Sequence, residues 1–283
     1  MANIKQLDPF ASPLDYYGAE LRRLRESAGL RLADLGEIVF CTASLIGQIE
    51  TALKVPTRDF SARVDAALNT DGMFSRLVGL VLRSQLPKWF QPYAEMESKA
   101  TYISSFQAQL VYGLLQTPEY ARAVLGVRND HNLDALVEAR IDRQRILGGS
   151  NPPLIWVVLS EAVLHQKIGG AQVMRKQLAH LLDVTQTHEW VRVQILPFDE
   201  GAHTGLMGSF NLLRFESDPD IVYTEDFVQG HMTANPEAVK EGSLRYDHLQ
   251  AAALSAQRSA ELIASVMEER YGQQAESGGL AVA

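Results

Sequence analysis

The sequence changes its pattern at the segment LPKWFQP, residues 86–92, and this change limits the folds open to the chain. Before the segment, apolar residues recur at the helical spacings of three and four in short stretches. After it, helical stretches alternate with short apolar runs of the kind that form buried strands. The two prolines frame Trp89 and Phe90, and an aromatic pair predicts a packed connector because a free linker would be polar.

We therefore expect a domain over residues 14–83, a connector over residues 84–92 and a second domain over residues 93–270. The last stretch, residues 271–283, is small and polar without periodicity, which predicts a disordered tail. The fold class expected is α+β: an all-α domain followed by a mixed α/β domain with a small mixed sheet flanked by helices.

The second domain is expected to contain strands and helices in a mixed order. Strands are predicted at Leu154–Leu159, Val191–Leu196, Gly208–Phe215 and Ile221–Glu225. Helices are predicted at Thr117–Leu125, Leu133–Leu147 and Ala171–Thr187, with one or two more in Pro236–Met267. The stretch Ile103–Tyr112 is ambiguous between helix and strand.

Composition excludes several classes of protein. The 283 residues carry 26 basic and 34 acidic side chains, so a wholly basic nucleic-acid binder is excluded. Cys41 is the single cysteine, which excludes a disulfide framework and a cysteine-rich zinc site. The first ten residues lack the apolar stretch of a signal peptide, and runs such as Leu154–Leu159 are too short to span a bilayer. We expect a cytoplasmic protein with no membrane partner.

The stretch Leu30–Thr51, LRLADLGEIVFCTASLIGQIET, predicts two short crossing helices. The inner face of the first helix is expected to use Leu35 with Ile38 or Val39, and that of the second Ile46 with Ile49. About four residues, Val39–Thr42, separate them, which is the length of a helix-turn-helix turn.

The second of these helices has features of a helix that reads DNA bases. Thr42 is a suitable N-cap residue. The outer side is expected to expose Ala43, Ser44, Gly47 and Gln48. Small residues allow close approach to base edges, and Gln48 can pair with adenine or a phosphate oxygen.

The region Tyr17–Leu77 resembles the lambda-repressor-like (Cro/C1-type, XRE) helix-turn-helix family. The resemblance depends on LRRLRESAGL, on the pair Ile49-Glu50 and on Pro56. It implies a five-helix domain with Thr42–Thr51 as recognition helix and double-stranded DNA as partner. It also implies phosphate contacts near Arg31, Thr42, Lys54 and Thr57.

The sequence departs from this family pattern at three points. Leu32 stands where a polar Gln is usual, Phe40 stands where the turn usually has Gly, and the recognition helix has no Arg or Lys. Residues 1–83 carry ten basic and ten acidic groups, so a monomer is expected to bind DNA weakly, and a homodimer would help by doubling the contacts. The basic cluster Arg22, Arg23 and Arg25 fits either a solvated helix face or a phosphate-facing role.

From residue 93 to 263 the chain resembles the WhiJ-type family of actinobacterial transcription regulators, also described as antitoxin-like. The matching blocks, in order, include YGLLQTPEYARAVL, EARIDRQRIL, VLSEAVLHQKIGG, VRVQILPF and GAHTGLMGSFNLLRFE. The resemblance implies a regulator whose second domain senses a small ligand or a small partner protein. An alternative is a protein-interaction module with a weakened helix-turn-helix. The neutral N-terminal domain favours this alternative, whereas the order of the matching blocks favours the DNA-binding regulator.

Four residues are candidates for binding a ligand or partner in the second domain. Arg143 fits an ion pair with local partners such as Glu138 and Asp142, or else an anion site. The loop Asp199–Gly208 holds His203 and Thr204 among three glycines, and it fits either a ligand loop or a long connection that needs glycine. The fourth candidate is Glu225, at the end of a predicted strand.

Catalytic motifs are missing from the sequence. An acid–base or metal site can be drawn from Asp199, Glu161, His165, His203 and Glu225, but their spacing matches no known metal motif. GxSxG, P-loop and GxGxxG patterns are also missing. We expect a protein that is not an enzyme and that needs neither a metal nor another cofactor.

Overall fold

The computed structural model describes residues 7–128 and 132–272, and backbone contacts divide the chain into two compact units between Lys88 and Trp89. In its described residues the N-terminal unit contains five helices, which confirms the expected all-α domain. They are α1 (Pro13–Ser27), α2 (Leu32–Ile38), α3 (Ala43–Glu50), α4 (Arg58–Leu68) and α5 (Met73–Gln85).

Capping residues determine where these helices begin and end. Ser12 caps α1 by accepting a hydrogen bond from the Asp15 backbone, and Pro13 follows at the first helical position. Gly29 lies just beyond the end of α1 with φ +71°, a left-handed conformation that glycine adopts without steric cost. Gly29 thus allows the chain to turn away where α1 ends.

The core of the N-terminal unit is mainly apolar and includes a buried hydroxyl pair. Tyr17 is fully buried, packs edge-on against Phe74 at 4.9 Å between ring centroids, and its hydroxyl lies 2.8 Å from Ser61 Oγ. The inner face of the α2–α3 region is formed by Leu35, Val39, Ile46 and Ile49. Of the two alternatives for the first helix, Val39 is buried, whereas Ile38 is 49% exposed.

The second unit contains a six-stranded mixed sheet flanked by helices, as expected. The strands are β1 (Tyr102–Gln107), β2 (Leu154–Ser160), β3 (Val191–Leu196), β4 (Phe210–Arg214), β5 (Ile221–Glu225) and β6 (Gly230–Thr233). Their order is β3-β2-β1-β4-β5-β6, with β1, β2 and β3 parallel and the β1–β4, β4–β5 and β5–β6 pairs antiparallel. The ambiguous stretch thus begins with a strand, and β6 was not predicted.

Seven helices complete the described part of this unit. They are α6 (Gln91–Glu97), α7 (Pro118–Leu125), α8 (Leu133–Arg143), α9 (Ala162–His165), α10 (Ala171–Thr187), α11 (Pro236–Ala252) and α12 (Ala256–Tyr271). Helix α12 extends into the predicted tail: Tyr271 is buried and its hydroxyl donates to the Leu164 carbonyl at 2.9 Å. The rest of that tail, residues 273–283, lies outside the described residues.

The two faces of the sheet differ in polarity. On one face Phe106, Val158 and Leu212 form a core with Tyr246 and Leu249 of α11. Because successive strand residues alternate between faces, the neighbouring positions line the opposite face. There β2 and β3 present apolar side chains such as Val157 and Val193, whereas β1, β4 and β5 present Ser105, Asn211 and Tyr223 in one row. The polar row marks the antiparallel half as a place for a hydrogen-bonded site.

Candidate nucleic-acid interface and buried polar cluster

Helices α2 and α3 form a helix-turn-helix unit with a bend of 110° between their axes. The turn covers Val39–Thr42, and the Thr42 side chain accepts a hydrogen bond from Leu45 N at 3.2 Å, so the predicted N-cap is confirmed. Over residues 7–128 and 132–272 no single helix is long and apolar enough to cross a membrane. Helices α2 and α3 reach that length and hydropathy only when taken together across the bend.

The turn depends on one glycine and strains one phenylalanine. Cys41 N donates to the Gly36 carbonyl at 2.8 Å, and a Cβ on Gly36 would lie 2.6 Å from the Cys41 carbonyl oxygen. Phe40, in this turn, adopts a left-handed φ of 56° and is 82% exposed. The backbone of the turn is therefore strained at Phe40.

The outer surface of α3 is uncharged. Thr42, Ser44 and Gln48 are exposed, while Ala43 and Gly47 are half-buried. The single charged residue of α3, Glu50, is 2% exposed. Ser44 and Gln48 are four residues apart and therefore share one face of the helix.

Glu50 is held by the basic cluster of α1. Arg25 donates to its two carboxylate oxygens at 2.6 and 2.9 Å, and Arg22 Nε lies 3.5 Å from Oε2. Arg25 also donates to the Leu30 carbonyl at 2.7 Å. Arg25 therefore belongs neither to a solvated helix face nor to a phosphate-facing surface, because its side chain is buried in an ion pair that fixes the end of α3.

The residues expected near phosphates lie around α3, and three of them are the N-cap residues of α2, α3 and α4: Arg31, Thr42 and Thr57. Thr57 caps α4 by accepting from Phe60 N at 3.1 Å, as Thr42 caps α3. Arg31 is exposed and paired with Asp34 at 2.7 Å, and its guanidinium and backbone N–H lower the pKa of Asp34 to about 2. Lys54 is half-buried, and its backbone N–H donates to the Gln48 carbonyl at 3.3 Å. Contact of these residues with DNA stays a prediction.

A buried ion pair lies at the centre of the second unit's polar half. Arg143 Nε and Nη2 donate to the two oxygens of Glu97 at 2.8 and 2.9 Å, and the two side chains are 10% and 1% exposed. The guanidinium also stacks over the Phe90 ring at 4.6 Å from its centroid. Its partner thus comes from α6, 46 residues earlier, whereas the sequence suggested a partner on α8 itself.

A chain of hydrogen bonds connects this pair to the sheet. Tyr112 donates to Glu97 Oε1 at 2.8 Å, and the Tyr93 and Tyr112 hydroxyls lie 3.3 Å apart. Asn211 Nδ2 donates to the Tyr93 hydroxyl at 3.0 Å, and Ser105 Oγ donates to Asn211 Oδ1 at 2.7 Å. Burial raises the pKa of both tyrosines, which therefore stay protonated at neutral pH.

The cluster lies near the carboxyl end of β1, where open α/β sheets usually bind ligands. Glu225, at the end of β5, belongs to the same region: Tyr223 donates to Glu225 Oε1 at 2.9 Å and stacks on Tyr93 at 3.9 Å between centroids. The structure therefore brings Arg143 and Glu225, two of the four ligand candidates, into one neighbourhood.

The other two candidates lie on the opposite face of the sheet. His203 Nδ1 accepts from Gly205 N at 3.1 Å, and Thr204 Oγ1 donates to the Arg245 carbonyl of α11 at 3.1 Å. A Cβ on Gly205 would lie 2.3 Å from the Phe106 ring, so glycine is needed for this contact. The geometry accounts for the loop as a packed connection, while a ligand role for His203 and Thr204 stays a prediction.

Among the residues described, no three His, Cys, Asp or Glu side chains are grouped closely enough to hold a metal ion. His165 and Glu161 form a pair at 3.2 Å, and the second oxygen of Glu161 accepts from Phe198 N at 2.9 Å. Glu161 therefore holds the segment that follows β3, through its hydrogen bond with Phe198 N.

Comparison with known families agrees with the two units. Residues 17–73 match a helix-turn-helix domain, and residues 90–265 match a domain of unknown function, DUF5753. No curated protein and no solved structure matches the chain. Since the second match covers more than half of the 283 residues, the chain belongs to the DUF5753 family and carries a helix-turn-helix domain before that family's domain.

Proposed function

We propose that the protein is a WhiJ-type, XRE-like transcription regulator that acts in the cytoplasm and binds specific double-stranded DNA as a homodimer. Its second domain then receives the regulating signal, a small ligand or a partner protein. The observation that carries the proposal is helix α3, which is capped, bent by 110° from α2 and exposes Ser44 and Gln48 on one side.

Each residue of the proposed interface has a role that follows from its position. Ser44 and Gln48 face base edges, where a hydroxyl and an amide can donate and accept hydrogen bonds. Thr42 and Thr57 lie at the N-termini of α3 and α4, where backbone N–H groups and the helix dipole favour a phosphate. Arg31 and Lys54 provide positive charge beside them.

The charges predict weak dependence on salt. Arg25 is buried in its ion pair with Glu50, and the outer surface of α3 has no charge. With Arg31 and Lys54 as the contacting cations, a dimer neutralises about four phosphates, which gives a log–log salt slope of about −3.6. A steeper slope would mean that other basic residues contact DNA.

The test is fluorescence anisotropy with a labelled duplex taken from the DNA upstream of the protein's own coding sequence, against a scrambled duplex. Replacing Gln48 by Glu, or Ser44 by Glu, is expected to weaken specific binding by about 5- to 150-fold, the range for one lost base contact. Gln186→Glu, an exposed change of the same charge on α10, is the matched control. Equal affinity for both duplexes at low salt would contradict the proposal.

A second candidate function is a protein-interaction module, which the exposed apolar residues of the helix-turn-helix favour. Phe40 and Leu53 are 82% and 73% exposed, one before α3 and one after it. If this surface binds protein, Phe40→Ser and Leu53→Ser should reduce self-association measured by light scattering. If it binds DNA, they should leave self-association unchanged.

A further inference from the structure

The buried cluster of the second unit contains two arginines and a single buried carboxylate. Arg143 and Arg140 lie three residues apart, so they follow each other on one side of α8. Both oxygens of Glu97 are taken by Arg143, and Oε1 also accepts the Tyr112 hydroxyl. Glu97 thus neutralises Arg143 and leaves the charge of Arg140 without a contacting counter-charge.

Arg140 is held by a neutral group. It is half-buried, and its Nη1 donates to Gln116 Oε1 at 3.0 Å. The amide of Gln116 is fixed, because its Nε2 donates to the Val111 carbonyl at 2.7 Å and the residue is 2% exposed. Among the described residues, no carboxylate lies within ion-pair distance of the Arg140 guanidinium.

The local electrostatics indicate a surplus of positive charge. Burial, together with the charge of Arg143, lowers the pKa of Arg140 to about 10, so the side chain is still charged at neutral pH. Arg140 is half-buried beside Arg143 with only a neutral amide in contact, and partial desolvation of a charge without an acidic partner is costly. An external anion would remove that cost.

We propose that Arg140 binds the carboxylate group of a small organic monoanion, beside Arg143 and near the carboxyl end of β1. A guanidinium presents two parallel N–H donors that match a planar carboxylate. Among the groups in direct contact the surplus is one positive charge, which a monoanion neutralises and a phosphate dianion exceeds. The inference rests on the proposed sensing role of the second domain and gives it a ligand class.

Glu225 is the residue that competes with such a ligand. It is exposed and holds the Tyr223 hydroxyl, and its charge acts on Arg140 from beyond ion-pair distance. It therefore provides a partial counter-charge when no ligand is bound. Removing its charge should strengthen ligand binding, whereas a purely structural Arg140 would show no such dependence.

The experiment is isothermal titration of the full chain, without DNA, with a panel of C2–C6 monocarboxylates and benzoate. Phosphate and chloride at equal ionic strength, and benzamide as the neutral analogue of benzoate, are the comparisons. At least one carboxylate is expected to bind saturably while benzamide does not. Since DNA is absent, failure here is separate from failure of the DNA-binding proposal.

Three variants locate the site. Arg140→Gln should weaken carboxylate binding at least about tenfold. Arg140→Lys keeps the charge but loses the paired donors, so its affinity should lie between that of the unchanged protein and that of Arg140→Gln. Glu225→Gln, a surface change that leaves the core intact, should tighten binding by about three- to tenfold. The proposal is overturned if no carboxylate binds better than chloride, or if Glu225→Gln leaves the affinity unchanged.

Discussion

Removal of the Glu50 carboxylate is expected to destabilise the helix-turn-helix unit strongly. Arg25 makes two short bonds to Glu50, at 2.6 and 2.9 Å, with side chains 9% and 2% exposed. Removing one partner of such a pair leaves an uncompensated buried charge and costs about 3–5 kcal/mol. A domain of this size has a total stability of about 4–12 kcal/mol, so Glu50→Ala should bring the unit close to unfolding.

Hydrogen exchange followed by mass spectrometry measures this effect on the full chain. Peptides from α1 and α3 should exchange about a hundredfold faster or more in Glu50→Ala, since each 1.4 kcal/mol changes an opening equilibrium about tenfold. Peptides from the second unit should keep their rates. The three tryptophans all follow residue 88, so their fluorescence provides an independent check that the second unit stays folded.

A matched control uses the same arginine. Glu26 lies 3.3 Å from Arg25 Nη2 and is 61% exposed, so Glu26→Ala should cost less than about 1 kcal/mol. The double replacement of Arg25 by Met and Glu50 by Leu should recover most of the lost stability, because an apolar pair leaves no buried charge. A change below about 1 kcal/mol in Glu50→Ala would refute the assignment of this pair as the anchor of α3.

Two further predictions concern the N-terminal unit. Phe40→Gly should raise the free energy of unfolding by about 1 kcal/mol, because glycine adopts the left-handed φ of 56° without strain. Urea denaturation followed by circular dichroism measures this change. An equal or lower stability of the variant would contradict the assignment of strain to Phe40. Burial acts to raise the pKa of Asp65, but its hydrogen bonds from Ser75, Thr70 and the Phe74 backbone outweigh burial and lower it. Because this pKa is depressed, the ionised Asp65 stabilises the fold at pH values above the unfolded pKa of about 3.9, and the stabilisation is lost as the pH falls through the folded pKa. Asp65→Asn should therefore flatten the loss of stability below about pH 4, measured by denaturation at a series of pH values. An unchanged pH profile would exclude Asp65 as the source of that loss.

The sequence predicted those elements that have a clear local pattern. The turn Val39–Thr42, the Thr42 cap and the strands Val191–Leu196 and Ile221–Glu225 have the predicted bounds, since caps and apolar runs are local signals. Strand β1 was ambiguous because Ser104 and Ser105 interrupt its apolar character, and both are buried only through tertiary contacts. Strand β6 is four residues long with an exposed, nearly featureless pattern, so nothing local distinguishes it from a loop.

The candidate site was harder to predict because its partners are distant in the sequence. Glu50 follows Arg25 by 25 residues, and Glu97 precedes Arg143 by 46. A sequence shows only local candidates for an ion pair, and Glu138 and Asp142 are the two carboxylates within five residues of Arg143, so they were the partners expected for it. Only the sheet register, which aligns Ser105, Asn211 and Tyr223, shows that α6 and α8 meet a polar surface.

The hydrogen-bonded chain from Arg143 to Ser105 has a consequence for how α6 and α8 are aligned on the sheet. An apolar layer gains nearly the same contact energy after a slide of an ångström, whereas hydrogen bonds weaken steeply with distance and angle. Five hydrogen bonds connect the six side chains of this chain, and each bond tolerates only a narrow range of distances and angles. The cluster therefore fixes a single position for the two helices on the sheet, because a misaligned arrangement loses several hydrogen bonds together.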